Sequence, residues 1–273
     1  MSQCNHDCSS CAKRASGECG QEKSFLVAAN KKSNVRKVIA VMSGKGGVGK
    51  SLVTELLAVG AAKRGLKTAV LDADITGPSI PTAFGVSERV VSDGEHMLAC
   101  RTASGIGVMS LNLLVENPAD PVVWRGPVIA GAVKQFWSDV IWGDVDVMFV
   151  DMPPGTGDVP LTVLQSLPVA GVVVVTSPQD LVSLIVEKAV RMADMMKVPV
   201  LGLVENMSEF KCPGCGQVHR IFGEGKAQEI AAAHSIAATA SIPIDPAYSK
   251  AVDAGEIENA DTSVLDSVLN AIV

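Results

Sequence analysis

Several things are scarce in this 273-residue chain, and each scarcity closes a class of function. Basic residues do not exceed acidic ones. The 23 Lys and Arg stand against 29 Asp and Glu, a net charge of −6, so no general positive field draws the protein to nucleic acid, and only a local basic patch stays open. The start, Met1-Ser2-Gln3-Cys4-Asn5-His6-Asp7, has neither a basic n-region nor an apolar h-region. Apolar runs such as Val169 to Val175 fall far short of a bilayer span. The last segment, Thr262 to Val273, is apolar-periodic but carries no Lys or Arg, which argues against a charge-assisted membrane anchor. The expectation is a cytoplasmic protein with no membrane or nucleic-acid partner. Internal repeats and low-complexity tracts are also absent. With 48% hydrophobic residues, the length suits one large α/β domain with a well-buried core.

What is present is sharper. Gly44-Lys45-Gly46-Gly47-Val48-Gly49-Lys50-Ser51 follows the apolar run Val38 to Met42 and opens an apolar-periodic segment, which is the strand-loop-helix context a P-loop requires. Its glycines let backbone N–H groups close around phosphate oxygens, and the helix N-terminus adds the positive end of its dipole. Lys50 then faces the β/γ-phosphates, and the Ser51 hydroxyl ligates Mg²⁺. Lys45 is an additional cation inside the loop, read from residues alone as a solvated loop lysine.

Residues 1–36 are polar and cysteine-bearing without sustained periodicity, so they read as a flexible arm, with the folded domain spanning 37–273. Within that domain Leu52, Val53, Leu56, Leu57 and Ala61 share a helical face that stops near Gly65. Strands are expected at 67–74, 106–111, 145–151, 171–176, 198–204 and 238–242, and a helix covers Leu181 to Ala193. Continuous apolar strands separated by amphipathic helices imply a mostly parallel sheet covered on both faces, with ligands at the carboxyl ends of its strands.

Polar residues end those strands. Asp151 closes one and precedes Met152-Pro153-Pro154-Gly155-Thr156-Gly157-Asp158, which suits a Walker B carboxylate holding Mg²⁺ and a loop able to register a γ-phosphate. Asp72 and Asp74 close another, as metal-site or water-orienting acids or as solvated strand-end acids. Asn206 could pair with a purine edge through its amide, while Pro243 and Asp245 follow a later strand; capping or turn roles fit these residues equally well. Phosphoryl transfer needs positioning and charge more than covalent chemistry, so this small set can suffice.

Seven cysteines fall mostly into two groups, Cys4, Cys8, Cys11 and Cys19 in the arm and Cys212 and Cys215 after the Asn206 strand, leaving Cys100 as a core residue. In a reducing compartment such clusters indicate metal or redox chemistry. The pair Cys212-Pro213-Gly214-Cys215 supplies half of a tetrathiolate site, which a second chain would complete for a [4Fe–4S] cluster or zinc. Structural zinc with His219 nearby and a redox dithiol are the other readings.

The extra lysine makes Gly44 to Ser51 a deviant Walker A motif and resembles the MinD/ParA/Mrp class of P-loop ATPases. The segments Asp72 to Pro81, Trp124-Arg125-Gly126-Pro127, Asp151 to Asp158, Glu205-Asn206-Met207-Ser208 and Cys212 to Cys215 resemble the Mrp/ApbC branch in particular. That resemblance implies an ATPase that carries a labile [4Fe–4S] cluster at a homodimer interface and delivers it to apo iron–sulfur proteins. It implies that Lys45 reaches the partner's phosphates, that Asp74 orients the attacking water, that Asn206 with the Pro243–Asp245 loop recognises the base, and that Cys212 and Cys215 bind the cluster. The arm cysteines resemble a further N-terminal cluster motif, with different spacing. Leu52 departs from the family, where a hydroxyl residue is common. A MinD/ParA-type spatial organiser and a zinc-stapled regulatory NTPase are the alternatives.

Overall fold

Strand-forming apolar runs and amphipathic helices alternate through the chain, and the computed structural model, which describes residues 25–74, 79–115, 126–179 and 182–273, assembles them into one layered α/β unit. The central sheet contains β1 (Val38–Ser43), β2 (Thr68–Asp72), β3 (Cys100–Arg101), β4 (Gly107–Met109), β5 (Val147–Asp151), β6 (Val169–Thr176), β7 (Val200–Asn206) and β8 (Ala238–Ile242). Their spatial order is β8-β7-β6-β1-β5-β2-β4-β3. Every neighbouring pair is parallel except β3 with β4, so the expected sheet is observed with one antiparallel edge strand.

Side chains alternate across the strands, and both faces are apolar. Ala40, Met42, Leu71, Met148, Val150, Val172 and Val174 point into one layer, filled by Val133, Phe136 and Trp137 of α3 (Gly126–Ser138) and by Val159 and Val163 of α4 (Asp158–Ser166). Ile39, Val41, Val70, Phe149, Val173 and Val175 point into the other, with Val53, Leu56 and Leu57 of α1 (Lys50–Lys63) and Val268, Leu269 and Ile272 of a helix at Asp266–Ile272. A helix at Val182–Met195 matches the expected 181–193 pattern, and a four-residue helix, α2 (Ile80–Ala83), follows the β2 loop.

Three differences have physical causes. The boundary expected at residue 37 lies earlier, because Asn34–Val35 pairs in parallel with Asp144–Val145 and the Val27 N–H donates to Ser166 O at 2.8 Å. Trp137 Nε1 also donates to Val27 O at 2.9 Å, so tertiary bonds hold a segment that has no periodicity of its own. The run 145–151 divides into a two-residue strand and β5. Cys100 is half-buried on the edge strand, its thiol donating to Glu88 O at 3.6 Å. Cys4, Cys8, Cys11 and Cys19, with Trp124 and Arg125, lie outside the described residues. No helix among the described residues is long and apolar enough to cross a membrane.

Candidate functional site

The carboxyl ends of β1, β2 and β5 converge, and the P-loop leaves β1 there to enter α1. Ser43, Gly46, Gly47, Gly49, Lys50, Ser51, Leu52, Asp74 and Pro154 line a cavity of about 220 Å³. The loop therefore forms a cradle before any phosphate is in it, with Leu52 on its wall. Gly49 adopts φ +81°, and a Cβ there would stand 2.1 Å from Asn206 Nδ2, so two separate constraints demand glycine.

Beneath the cradle lies a buried charge cluster. Lys50 Nζ is 2.7 Å from Asp151 Oδ2 and 3.4 Å from Asp74 Oδ2. The same Asp151 Oδ2 accepts from Ser51 Oγ at 2.7 Å, while Asp151 Oδ1 accepts from Thr54 Oγ1 at 2.7 Å. A carboxylate and a hydroxyl meeting at one point form the all-oxygen donor set that suits Mg²⁺, so Ser51 and Asp151 fit the metal expected of them. When bound, Mg²⁺ supplies charge to the phosphate oxygens.

Asp72 stands in register with Asp151 on the adjacent strand. It accepts from Ser110 Oγ at 2.8 Å and from the Asp74 N–H at 3.0 Å. Burial and then the charge of Asp151 raise its pKa to about 8, against the lowering effects of those bonds and of Lys50. Asp72 is therefore an acid of this cluster that retains its proton near neutrality.

Lys45 extends from the loop to Gln179, whose Oε1 accepts from its Nζ. Asn206 is buried at the end of β7 and donates from Nδ2 to Val48 O at 2.9 Å. Here the amide braces the P-loop, a role the sequence did not suggest. Asp245 caps the helix Pro246–Ala254 by accepting from the Ala247 N–H at 2.8 Å, the capping alternative for that residue. Pro243 lies beside Ser208 and Glu209 on the wall of a separate polar hollow. Thr54, Ser110 and Glu55 of the cluster also escaped the sequence reading. The only signal was two polar residues, Thr54 and Glu55, interrupting the apolar face of α1.

The cysteine pair occupies a hairpin that leaves the sheet directly after Asn206. Phe210–Lys211 and Val218–His219 pair antiparallel, the Cys212 N–H donates to Gln217 O at 2.9 Å, and the Gly216 N–H donates to Cys212 O at 2.8 Å. Backbone N–H groups of Cys215 and Gly214 and the Cys215 side chain direct hydrogen bonds at the Cys212 sulfur and lower its pKa. Both cysteines are free, and Cys215 is exposed. Among the described residues no group of three His, Cys, Asp or Glu could hold a metal, so His219 does not complete a site with the two thiols. At the hairpin root the Ser208 N–H donates to Ile242 O at 3.0 Å and the Ile244 N–H to Glu209 O at 2.7 Å, with Met207 between Asn206 and Ser208 at φ 59°.

A glycine cradle at the head of α1, a strand-end Asp151 beside Ser51 and a mostly parallel sheet define a P-loop nucleotide-binding protein of the deviant Walker A class. The family model of the NUBPL iron-transfer P-loop NTPases, in the ParA group, matches residues 34–273, and the chain belongs to that family. It is similar to an iron–sulfur cluster carrier protein of Clostridium perfringens, 45% identical over 233 residues that cover 82% of each chain. It is also similar to the nucleotide-binding protein of Archaeoglobus fulgidus solved in complex with ADP, at 45% identity and TM-score 0.76, covering 85% of this chain and 91% of that one. The MinD protein of Pyrococcus horikoshii, solved with Mg-ADP, shares the fold at TM-score 0.58 and 20% identity, covering 87% of this chain and 95% of that one.

Proposed function

We propose that this protein is an ATP-dependent iron–sulfur cluster carrier of the cytoplasm that hydrolyses ATP slowly, holds a labile [4Fe–4S] cluster between two copies of the chain and passes it to apo iron–sulfur proteins. The observation that carries the reading is the Cys212–Cys215 hairpin rooted on the strand whose last residue, Asn206, braces the P-loop. Two thiols per chain are half of what a four-thiolate cluster takes, and a two-fold related hairpin supplies the rest. The name of the Clostridium perfringens relative supports the cargo, and the ADP complex of the Archaeoglobus fulgidus protein supports the nucleotide.

In this reading Gly44 to Ser51 cradle the phosphates and Lys50 leaves its carboxylate partners to meet the β/γ-phosphates. Ser51 and Asp151 hold Mg²⁺. Lys45 exchanges Gln179 for the partner's phosphates, and Asp74, beside Lys50 on the cavity wall, orients the attacking water. Recognition of the base by Asn206 requires release from Val48, with Pro243 and Asp245 flanking the same end. Cys4, Cys8, Cys11 and Cys19 form a second thiolate set for a further cluster.

The test is anaerobic reconstitution followed by iron and sulfide assay and by transfer to an apo-enzyme. Because Val27 and Asn34 are bonded to the domain, the arm cysteines are better replaced by Ser than deleted with residues 1–36. In that background Cys212→Ser and Cys215→Ser should each abolish the transferable cluster and leave nucleotide binding intact. Transfer by both variants would defeat the interface-cluster reading, and stoichiometric zinc without iron in anaerobically isolated protein would favour a structural metal.

A further inference from the structure

Thr54 places a fully buried hydroxyl on α1, beside the apolar side chain of Val53. Its Oγ1 stands 2.7 Å from Asp151 Oδ1 and 3.1 Å from Lys50 O. A helical threonine ordinarily turns its single proton back to the carbonyl four residues earlier, but here the carboxylate is both nearer and charged. The hydroxyl therefore donates to Asp151. Valine has the same shape and no hydroxyl to desolvate, so packing alone would favour valine at this position. The bond to Asp151 is what offsets the burial of the hydroxyl.

Asp151 is closed off from solvent, and its two oxygens are held by different groups. Oδ2 meets Ser51 Oγ and Lys50 Nζ, both at 2.7 Å, whereas Oδ1 meets Thr54. The terminal torsion of an aspartate is broad and nearly two-fold, so a carboxylate bound at one oxygen only can swing or exchange its oxygens. A bond at each oxygen removes that freedom. Lys50 and Ser51 are the residues that nucleotide and Mg²⁺ engage in the reading above, while Thr54 is not among the residues that line the cavity. Of these three donors, Thr54 is the one that neither ligand claims.

We propose that Thr54 is a positioning residue for the Mg²⁺ site: from within α1 it fixes Asp151 Oδ1 and so keeps Oδ2 facing Ser51 once Lys50 has left for the phosphates. This role rests on the reading of Ser51 and Asp151 as the Mg²⁺ ligands, which Thr54 supports without joining. In the nucleotide-free protein Lys50 and Ser51 hold Oδ2 as well. Loss of the Thr54 hydroxyl is therefore felt in the response to metal more than in the binding of nucleotide alone.

ADP is titrated calorimetrically into the full-length parent, T54V, T54A and T54S, without Mg²⁺ and at a series of Mg²⁺ concentrations, which gives the Mg²⁺ affinity of the ADP-bound protein. Val and Ala lack the hydroxyl, and Ser keeps it. T54V and T54A should each weaken Mg²⁺ binding about tenfold, the factor that the lower end of a hydrogen bond to a charged group represents, and leave Mg²⁺-free ADP affinity within about threefold of the parent. T54S should stay within about threefold of the parent in both measurements. Parental Mg²⁺ affinity in folded T54V or T54A, or a loss in T54S equal to that in T54V, would overturn the role of Thr54. A loss of ADP affinity as large without Mg²⁺ as with it would do the same, because it marks a distorted cradle. Failure of both T54V and T54A to fold would assign the hydroxyl to stability alone and overturn the positioning role. If the parent's own ADP affinity ignores Mg²⁺, the metal reading of Ser51 and Asp151 fails and the positioning role fails with it; a responsive parent beside equally responsive variants sinks the positioning role alone.

Discussion

Gly49→Ala should be costly for two separable reasons, and a second substitution can separate them. An L-residue forced into the left-handed region at φ +81° loses about 1–2 kcal/mol from its own sterics. The new Cβ would also stand 2.1 Å from Asn206 Nδ2, so the amide must leave, and Val48 O loses its buried donor for a further ~1–3 kcal/mol. The single variant should therefore be destabilised by about 2–5 kcal/mol, the sum of those terms. Asn206→Ala alone removes the bond and should cost about 1–3 kcal/mol. It also empties the space that a methyl group on residue 49 would need. In that background Gly49→Ala should cost only the backbone term, so the double variant falls short of additivity by about 1–3 kcal/mol. Urea denaturation of the nucleotide-free protein measures the four corners of the cycle, and calorimetric titration with Mg·ADP shows whether the cradle still binds. Additivity within about 0.5 kcal/mol would refute the steric link between Gly49 and Asn206.

Two further outcomes follow from the buried charges. Asp72 holds its proton up to about pH 8 in the folded protein and releases it near 3.8 when unfolded, so the folded state binds more protons in that window; stability of the metal-free protein should fall as pH rises from 4 towards 8, by up to ~1.4 kcal/mol per pH unit. Asp72→Asn should flatten the profile in a denaturation series, and an unchanged slope would discount the burial of that acid. Lys50→Ala should lower stability by about 3–5 kcal/mol as well as weaken nucleotide binding, because it leaves Asp74 and Asp151 buried without their countercharge. Adding Asp151→Asn should recover part of that loss; a Lys50→Ala protein of parental stability would mean that the ion pairs contribute nothing before nucleotide arrives.

The parts of this architecture that are local in sequence were legible there. Gly44 to Ser51 announces both loop and helix, since the composition that cradles phosphate also dictates the backbone, and the Cys212–Cys215 spacing announces a tight turn. Asp151 was legible because a continuous apolar run ends on it. What could not be read depends on distant partners. Asn34–Val35 becomes a strand only because Asp144–Val145 lies alongside, and β3 is a two-residue strand completed by β4. The bond from the Asn206 amide to the Val48 carbonyl was not legible, because its two partners lie at far ends of the domain sequence. Glu55 was hidden by its own helix, where the apolar spacing of Val53, Leu56 and Leu57 makes an intervening acid look solvent-facing. In the fold Glu55 is nevertheless buried.

The order of strands in the sheet also sets an order of events in time. β1, which feeds the P-loop, has β5 on one side and β6 on the other, and neither is its neighbour along the chain. During synthesis the P-loop sequence emerges early, yet both walls of its strand arrive only once residues 147–176 have been made, and the Asn206 brace comes later still. Long-range parallel pairing of this kind delays folding and exposes strand edges in the interval. The arm cysteines therefore leave the ribosome long before the sheet can close, while Cys212 and Cys215 appear only after the P-loop strand has both of its neighbours. An acquisition of metal that proceeds alongside translation would meet the two thiol groups at separate stages, the first on an unfinished chain and the second on a nearly complete sheet.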